Sequence, residues 1–294
     1  MIRNLVKVGS ITAAASAVVD LSIPVGHNGT ICGFYFQCFT SGITASQVDD
    51  VKAAISKINL SVTHQSEGGF ALLNDVTPTF LYARELYYAG TRGVTNGTGC
   101  LHYDPSAAMR GGELAANVRN LGTKDLVDML LRVTFASSIT NVSRIDVYID
   151  VDYNLVDNLG QHVRIGKATC PVTVAGGEVE VTTIPRFDQR FGFEAFHIHS
   201  GGLTDMTISK VSLVINGNNH LLRDIPKDVI DRSLALQDRA PQTGFTHLDF
   251  AKEDNPAYFL PGGMSELKLF PTFVAGDDAA AGTVDIWYEA IKRS

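Results

Sequence analysis

The chain has 294 residues, 45% of them hydrophobic and 19% charged. That is enough to bury about three quarters of the unfolded surface, and too apolar for a disordered chain. Twenty-four Lys and Arg against 31 Asp and Glu leave a net charge of −7, which disfavours nucleic-acid packaging by charge in the absence of a local basic patch. No stretch approaches the roughly 18 apolar residues of a spanning helix, and the start lacks the apolar run of an export signal.

Period-two alternation is the commonest pattern. Val19, Leu21, Ile23 and Val25 share one face and Asp20, Ser22 and Pro24 the other, which predicts a half-buried strand. Phe34-Tyr35-Phe36 reads as an aromatic strand, and Ile58, Leu60 and Val62 alternate again. Thr77 as a cap with Pro78 at the first position predicts a helix through about Ala89. Gly90 to Gly99 reads as an exposed loop, and Glu113 to Leu121 as a weaker third helix. Ile145, Val147, Ile149 and Val151 alternate with Asp146, Tyr148, Asp150 and Asp152. A second helix follows Pro226, with Asp228 in its first turn and Arg239 near its end to match the dipole before Pro241 stops the run. Val284, Ile286 and Tyr288 close the chain as a strand opposed by Asp285, Trp287 and Glu289. Short spacings and glycine-rich turns favour antiparallel sandwiches, so the fold class is mainly β with a few short helices.

These elements come round twice in the same order. Ile23-Pro24 returns as Ile184-Pro185, and Phe34-Tyr35-Phe36 as the aromatic run from Phe191 to Phe196. Ile55-Ser56-Lys57-Ile58 is echoed by Ile208-Ser209-Lys210-Val211, Leu72-Leu73-Asn74-Asp75 by Leu221-Leu222-Arg223-Asp224, and Asp146-Val147-Tyr148 by Asp285-Ile286-Trp287. The offset shrinks from 161 residues at the first match to 139 at the last, so order is kept while loops shorten. We therefore expect two tandem eight-stranded jelly rolls, residues 1–155 and 178–294, joined by a linker over 156–177.

Catalytic motifs are missing. Cys32, Cys38, Cys100 and Cys170 have neither CxxC spacing nor zinc-ligand partners and read as buried thiols made in a reducing cytoplasm. His197 and His199, two apart on a strand, face one side as in cupin metal sites. The acid such a motif needs is missing, since Ser200, Gly201, Gly202 and Leu203 follow, so both read as strand histidines paired with neighbouring groups. No nucleophile elbow, zincin, phosphate-loop or dinucleotide pattern occurs. Acidic groups such as Asp49-Asp50 and Asp277-Asp278 lack calcium-loop spacing and read as solvated surface. No catalytic and no metal residue is assigned. Arg3, Lys7, Lys292 and Arg293 give both termini local positive charge, which suggests a face set against an anionic lipid surface.

Tandem rolls of this size, the opening Ser22-Ile23-Pro24-Val25-Gly26, and Ala195-Phe196-His197-Ile198 followed by Leu221-Leu222-Arg223-Asp224 resemble the double jelly-roll major capsid proteins. The likeness is to those of tailless icosahedral bacteriophages with an internal membrane, the corticovirus kind. It implies a structural protein and not an enzyme, forming homotrimeric pseudo-hexagonal capsomers. Its implied partners are neighbouring capsomers, a vertex (penton) protein and the internal membrane or its proteins, with no direct nucleic acid. It places the chain in the virion capsid, made and assembled in the host cytoplasm. No cofactor is implied, although structural calcium occurs in such families and its ligands do not transfer to this sequence. The aromatic region from Tyr82 to Tyr88 is expected to contribute to contacts, core packing being the commoner use of an aromatic. The alternatives are a carbohydrate-binding or host-attachment β-sandwich, weakly provided for by the single Trp287, and a bicupin metalloenzyme.

Overall fold

The computed structural model describes residues 3–26, 29–89, 99–108, 119–155, 157–185, 187, 189–217, 219–251 and 260–292. The first half contains β1 (Arg3–Thr12), β2 (Val18–Ser22), β3 (Thr30–Ser41), β4 (Thr44–Ala45), α1 (Val48–Ala54), β5 (Ile55–His64), β6 (Gly68–Val76), α2 (Pro78–Ala89), β7 (Cys100–Tyr103), β8 (Leu121–Gly122), β9 (Leu126–Phe135) and β10 (Arg144–Asp152). The second contains β11 (His162–Val172), β12 (Gly177–Glu178), β13 (Phe191–His199), β14 (Met206–Ile215), β15 (Asn219–Pro226), α3 (Lys227–Ala235), β16 (Phe245–Asp249), β17 (Leu260–Pro261), β18 (Leu267–Ala275) and β19 (Gly282–Lys292).

The two halves have one topology. In the first, β1-β10-β3-β7 packs against β2-β9-β5-β6; in the second, β11-β19-β13-β16 packs against β12-β18-β14-β15. Each pair of sheets encloses its own apolar core, around Phe34, Phe36, Leu60, Met129 and Val147 in one roll and Phe193, Phe196, Leu213, Leu269 and Ile286 in the other. The repeat extends to local geometry. Asp75 and Asp224 both take positive φ, at 54° and 49°. Each is bonded to the lysine of the repeated Ile-Ser-Lys motif, Lys57 at 2.9 Å and Lys210 at 2.6 Å.

Local signals survive where they are strong. Thr77 Oγ1 accepts from the Phe80 amide at 3.3 Å, and the helix after it runs Pro78–Ala89 as the spacing predicts. The helix after Pro226 is shorter than expected. It ends at Ala235, and Arg239 lies beyond it, turned to Asp249 at 3.0 Å and not to the helix dipole. The helix α1 has no counterpart among the expectations, because seven residues give too little periodicity to read. The glycine loop expected over 90–99 lies outside the described residues except for Gly99, which is buried; a Cβ there would stand 2.6 Å from Val51 Cγ2. The weaker helix expected over 113–121 likewise lies outside them up to residue 118, and Leu121 belongs to β8. No helix among the described residues is long and apolar enough to cross a membrane.

The segment expected as a linker holds β11, paired with β19 over eleven residues. Its apolar alternation is broken at Gly166, which hides the strand in the sequence. The glycine is required because a Cβ there would lie 2.2 Å from the Tyr288 hydroxyl oxygen. β11 also runs parallel to β6, with Ile165 opposite Leu73. This seam fuses one sheet of each roll into a nine-stranded sheet, while the two cores stay distinct.

The seam carries a titratable group. His162 stacks on Phe70 with ring centroids 5.1 Å apart, its Nδ1–H donates to the Gly160 carbonyl at 3.0 Å, and its Nε2 accepts from Arg164 Nε at 3.3 Å. Burial, with Arg164 adding to it, lowers this imidazole to about 4. A depressed histidine contributes stability above its unfolded value of about 6.5 and loses it as pH falls toward the folded value. Between pH 7 and pH 5 the native chain should lose about 2 kcal/mol relative to His162→Asn, read as the difference between their urea midpoints at the two pH values.

Candidate functional site at the junction of the two rolls

The helix α2 belongs to the first roll by sequence and to both by packing. Phe80, Leu81 and Ala83 join the first core, while Tyr87 and Tyr88 join the second. Beneath the helix lies the outer face of the second roll's β16-β13-β19 sheet. Phe80 stacks on Trp287 of β19 at 4.8 Å and Tyr87 on His247 of β16 at 4.1 Å. Strand alternation assigns Trp287 and Glu289 to solvent, but the helix covers them, leaving 1% and 0% exposed.

Excluding water from this face makes its polar groups depend on one another. Arg84 forks onto Glu289, Nε to Oε1 at 2.8 Å and NH2 to Oε2 at 2.9 Å, and its third donor reaches the Asp104 carbonyl at 3.0 Å. Glu289 Oε1 also accepts from Tyr88 at 3.2 Å and from His197 Nε2 at 2.9 Å. His197 Nδ1 meets His247 Nδ1 at 2.6 Å, and His247 Nε2 accepts from the Gln242 amide at 3.4 Å. That last bond sets the tautomers: His247 Nδ1–H donates to His197, whose Nε2–H donates to Glu289. Alongside, Asp249 accepts from Tyr87 and from Arg239 Nε, each at 3.0 Å, and Arg119 pairs with Glu194 at 2.6 Å.

Burial pushes the Glu289 carboxyl up, but Arg84 and His197 together overcome it and hold the group well below the usual carboxylate range. Burial prevails at Glu194, raised to about 7 against the opposing pull of Arg119. It also prevails at His247, held well below its ordinary value with His197 adding to the effect. A fully buried set of paired charges with fixed tautomers positions two bodies, and the described residues contain no cluster of His, Cys, Asp and Glu suited to a metal ion.

Sequence reading found pieces of this site without their roles. His197 is paired with neighbouring side chains, as expected of a strand histidine. His199 is half-buried and stacked on Phe245 at 4.4 Å. Tyr87 and Tyr88 are turned onto the second roll of their own chain. Cys32, Cys38 and Cys170 are buried, and Cys100 is half-buried. Among the terminal basic residues, Arg3 begins β1 opposite Asp152 and Lys7 pairs with Asp146 at 2.7 Å. Lys292 ends β19 opposite His162 and pairs with Glu67, and Arg293 lies outside the described residues. The network was hidden because its members come from positions 84 to 289, and no local pattern links them.

Removing one partner of a buried ion pair strands the other charge, at a cost of about 3–5 kcal/mol. Arg84→Ala should therefore lower unfolding stability by about that amount, while Arg84→Met with Glu289→Leu should recover much of it. Urea denaturation of the three proteins measures both.

No curated protein sequence matches the chain. Its whole length superimposes on solved capsid structures. The major capsid protein P2 of bacteriophage PM2 has 14% identity, with 99% of this chain and 97% of that one covered and a TM-score of 0.76. A chain of Sulfolobus Turreted Icosahedral Virus has 12% identity, 99% and 90% coverage and a TM-score of 0.63. A chain of the PBCV-1 virus capsid has 10% identity, 100% and 95% coverage and a TM-score of 0.56. These likenesses give the fold, a double jelly roll, and a sequence-family model matches within its second half. Residues 164–294 match the family model of the viral coat protein P2 C-terminal domain.

Proposed function

We propose that this chain is the major building block of an icosahedral virion shell, assembling as trimers of pseudo-hexagonal outline over an internal membrane. Its coat-protein domain makes it a structural protein and not an enzyme. The observation that carries the proposal is the duplication itself: two rolls of one topology, held in fixed relation by the seam and by α2. A chain built so offers two similar lateral faces, and three such chains approximate six-fold packing while their rotation closes the assembly.

The charge distribution supports a shell that does not contact its genome. The net charge is −7, and Arg84, Arg119 and Arg239 are buried in pairs with carboxylates. Strand register brings Arg3 and Lys292 to one end of the molecule. Arg3 stands opposite Asp152, which also faces Thr30, and Thr30 faces Gly122. From there Lys124 bonds to Asp157, Asp125 to Leu159 and His64, and the turn after His64 carries Glu67, the partner of Lys292. We assign that end to the inner side, facing the membrane. The pairing of Lys7 and Lys292 with carboxylates compensates part of their charge.

Size-exclusion chromatography with light scattering should give about 95 kDa, three times the chain mass of 31.7 kDa. A monomer or dimer, the expectation for a lectin-like or attachment protein, would overturn the trimeric reading. Flotation with acidic liposomes should weaken as salt is raised, and indifference to lipid charge would remove the membrane-facing assignment alone.

A further inference from the structure

Arg164 of β11 differs from the arginines that hold the fold together. Arg84, Arg119, Arg132, Arg144 and Arg239 each reach a carboxylate within 3.0 Å. Arg164 reaches none among the described residues. Its Nε–H donates to His162 Nε2 at 3.3 Å, and its two terminal nitrogens find no acceptor among the described residues and reach solvent.

The side chain is half-buried all the same, and aromatic rings fix its position. The guanidinium carbon lies 3.9 Å from the ring centroid of Phe70 on β6 and 4.8 Å from that of Phe191 on β13. Phe70 is itself stacked on His162, and Phe191 lies 5.0 Å from Phe187. The rings attract the cation through their quadrupoles and remove most of its freedom, so its orientation is settled before anything binds. With Nε turned to His162, the terminal nitrogens form the open edge, and that edge matches the oxygens of a phosphate.

The surrounding charges favour an anion. Burial lowers Arg164 from its ordinary range and Arg190 adds to this, while Glu67 opposes both. Glu67, however, is bonded to Lys292, and that bond is the chief reason its carboxyl is held below the usual range. His162 stands opposite Lys292 in register, and burial keeps it neutral near pH 7. Arg164, Arg190 and Lys292 thus meet here with Glu67, a local excess of positive charge on a chain of net charge −7. The place is the end of the molecule assigned above to the inner side, since Arg164 lies two residues along β11 from the partner of Lys292.

We infer that Arg164 is a headgroup site, which takes the phosphate of an anionic phospholipid on its terminal nitrogens with Arg190 and Lys292 beside it. Phe70, Phe191 and His162 are positioning residues that hold the guanidinium ready. Diffuse attraction to an anionic surface counts charges, so lysine would serve there as well as arginine; a guanidinium fork held by rings does not tolerate the exchange. The inference rests on the reading of that end as membrane-facing and specifies its point of contact. A free phosphate ion presents the same oxygens, so the test separates the two sources.

Phenylglyoxal modifies accessible guanidinium groups, and mass spectrometry of the Arg164 peptide reads the site in the unaltered protein. Arg164 should be modified in buffer and protected by phosphatidylglycerol vesicles. It should stay reactive with phosphatidylcholine vesicles and with inorganic phosphate at the same phosphorus concentration. Equal protection by inorganic phosphate would overturn the lipid assignment, and a guanidinium that is unreactive throughout, or reactive throughout, would overturn the site. In flotation, Arg164→Gln should raise the phosphatidylglycerol concentration for half-binding about fivefold, and Arg164→Lys should show most of the same loss. If the wild type floats and Arg164→Lys matches it, the site fails and the membrane-facing end stands. A wild type that does not float with phosphatidylglycerol would overturn both.

Discussion

The constraint on which the molecule depends is that charges removed from water must be paired. Arg84 and Glu289 are 205 residues apart in sequence, yet both are buried and bonded twice to each other. Neither charge is tolerable there alone, so α2 has one acceptable seat on the second roll, the one in which the guanidinium meets the carboxylate. The histidine pair extends the requirement to β13 and β16, and Arg239 with Asp249 extends it to the segment after α3. An apolar interface of the same area would hold the rolls together as firmly but would allow more than one orientation. A shell subunit needs a single orientation, because an angular error between rolls is repeated in every copy.

A second constraint comes from the sheet edges. A jelly roll built of two open sheets leaves strand edges with unpaired backbone groups, and such edges invite association. Within the chain, pairing of β6 with β11 closes one edge of each roll. Among the described residues, the corresponding edge strands β15 and β1 each pair on one side only, with β14 and β10.

The electrostatics agree with the proposed role in a shell that does not touch its genome. Arg84, Arg119 and Arg239 are buried at the junction, each paired with a buried carboxylate, so these pairs cancel and leave the net charge of −7 to the rest of the molecule. Long-range attraction to phosphate is weak as a result. The network at the junction also mixes opposite pH responses: Glu194 is raised to about 7 while His247 is held low. Their opposing proton linkage reduces the pH dependence of the junction in the mildly acidic range.

The sequence by itself determined the strands with clean alternation, the capped helix after Thr77, and the order of elements that betrays duplication. Each of these is set by neighbours within a few residues, through the two-residue strand repeat, the missing amide of Pro78 and the turn chemistry of glycine. It misplaced β11, where Gly166 interrupts the pattern to make room for Tyr288, and it assigned Trp287 and Glu289 to solvent because alternation identifies two faces without saying what covers the second. Only the tertiary structure decided that α2 covers that face, that His197 is bonded to Glu289 at the junction, and that Arg239 lies beyond its helix and pairs with Asp249. Such pairings depend on distances between groups far apart along the chain, and those distances come into being only when the two rolls meet.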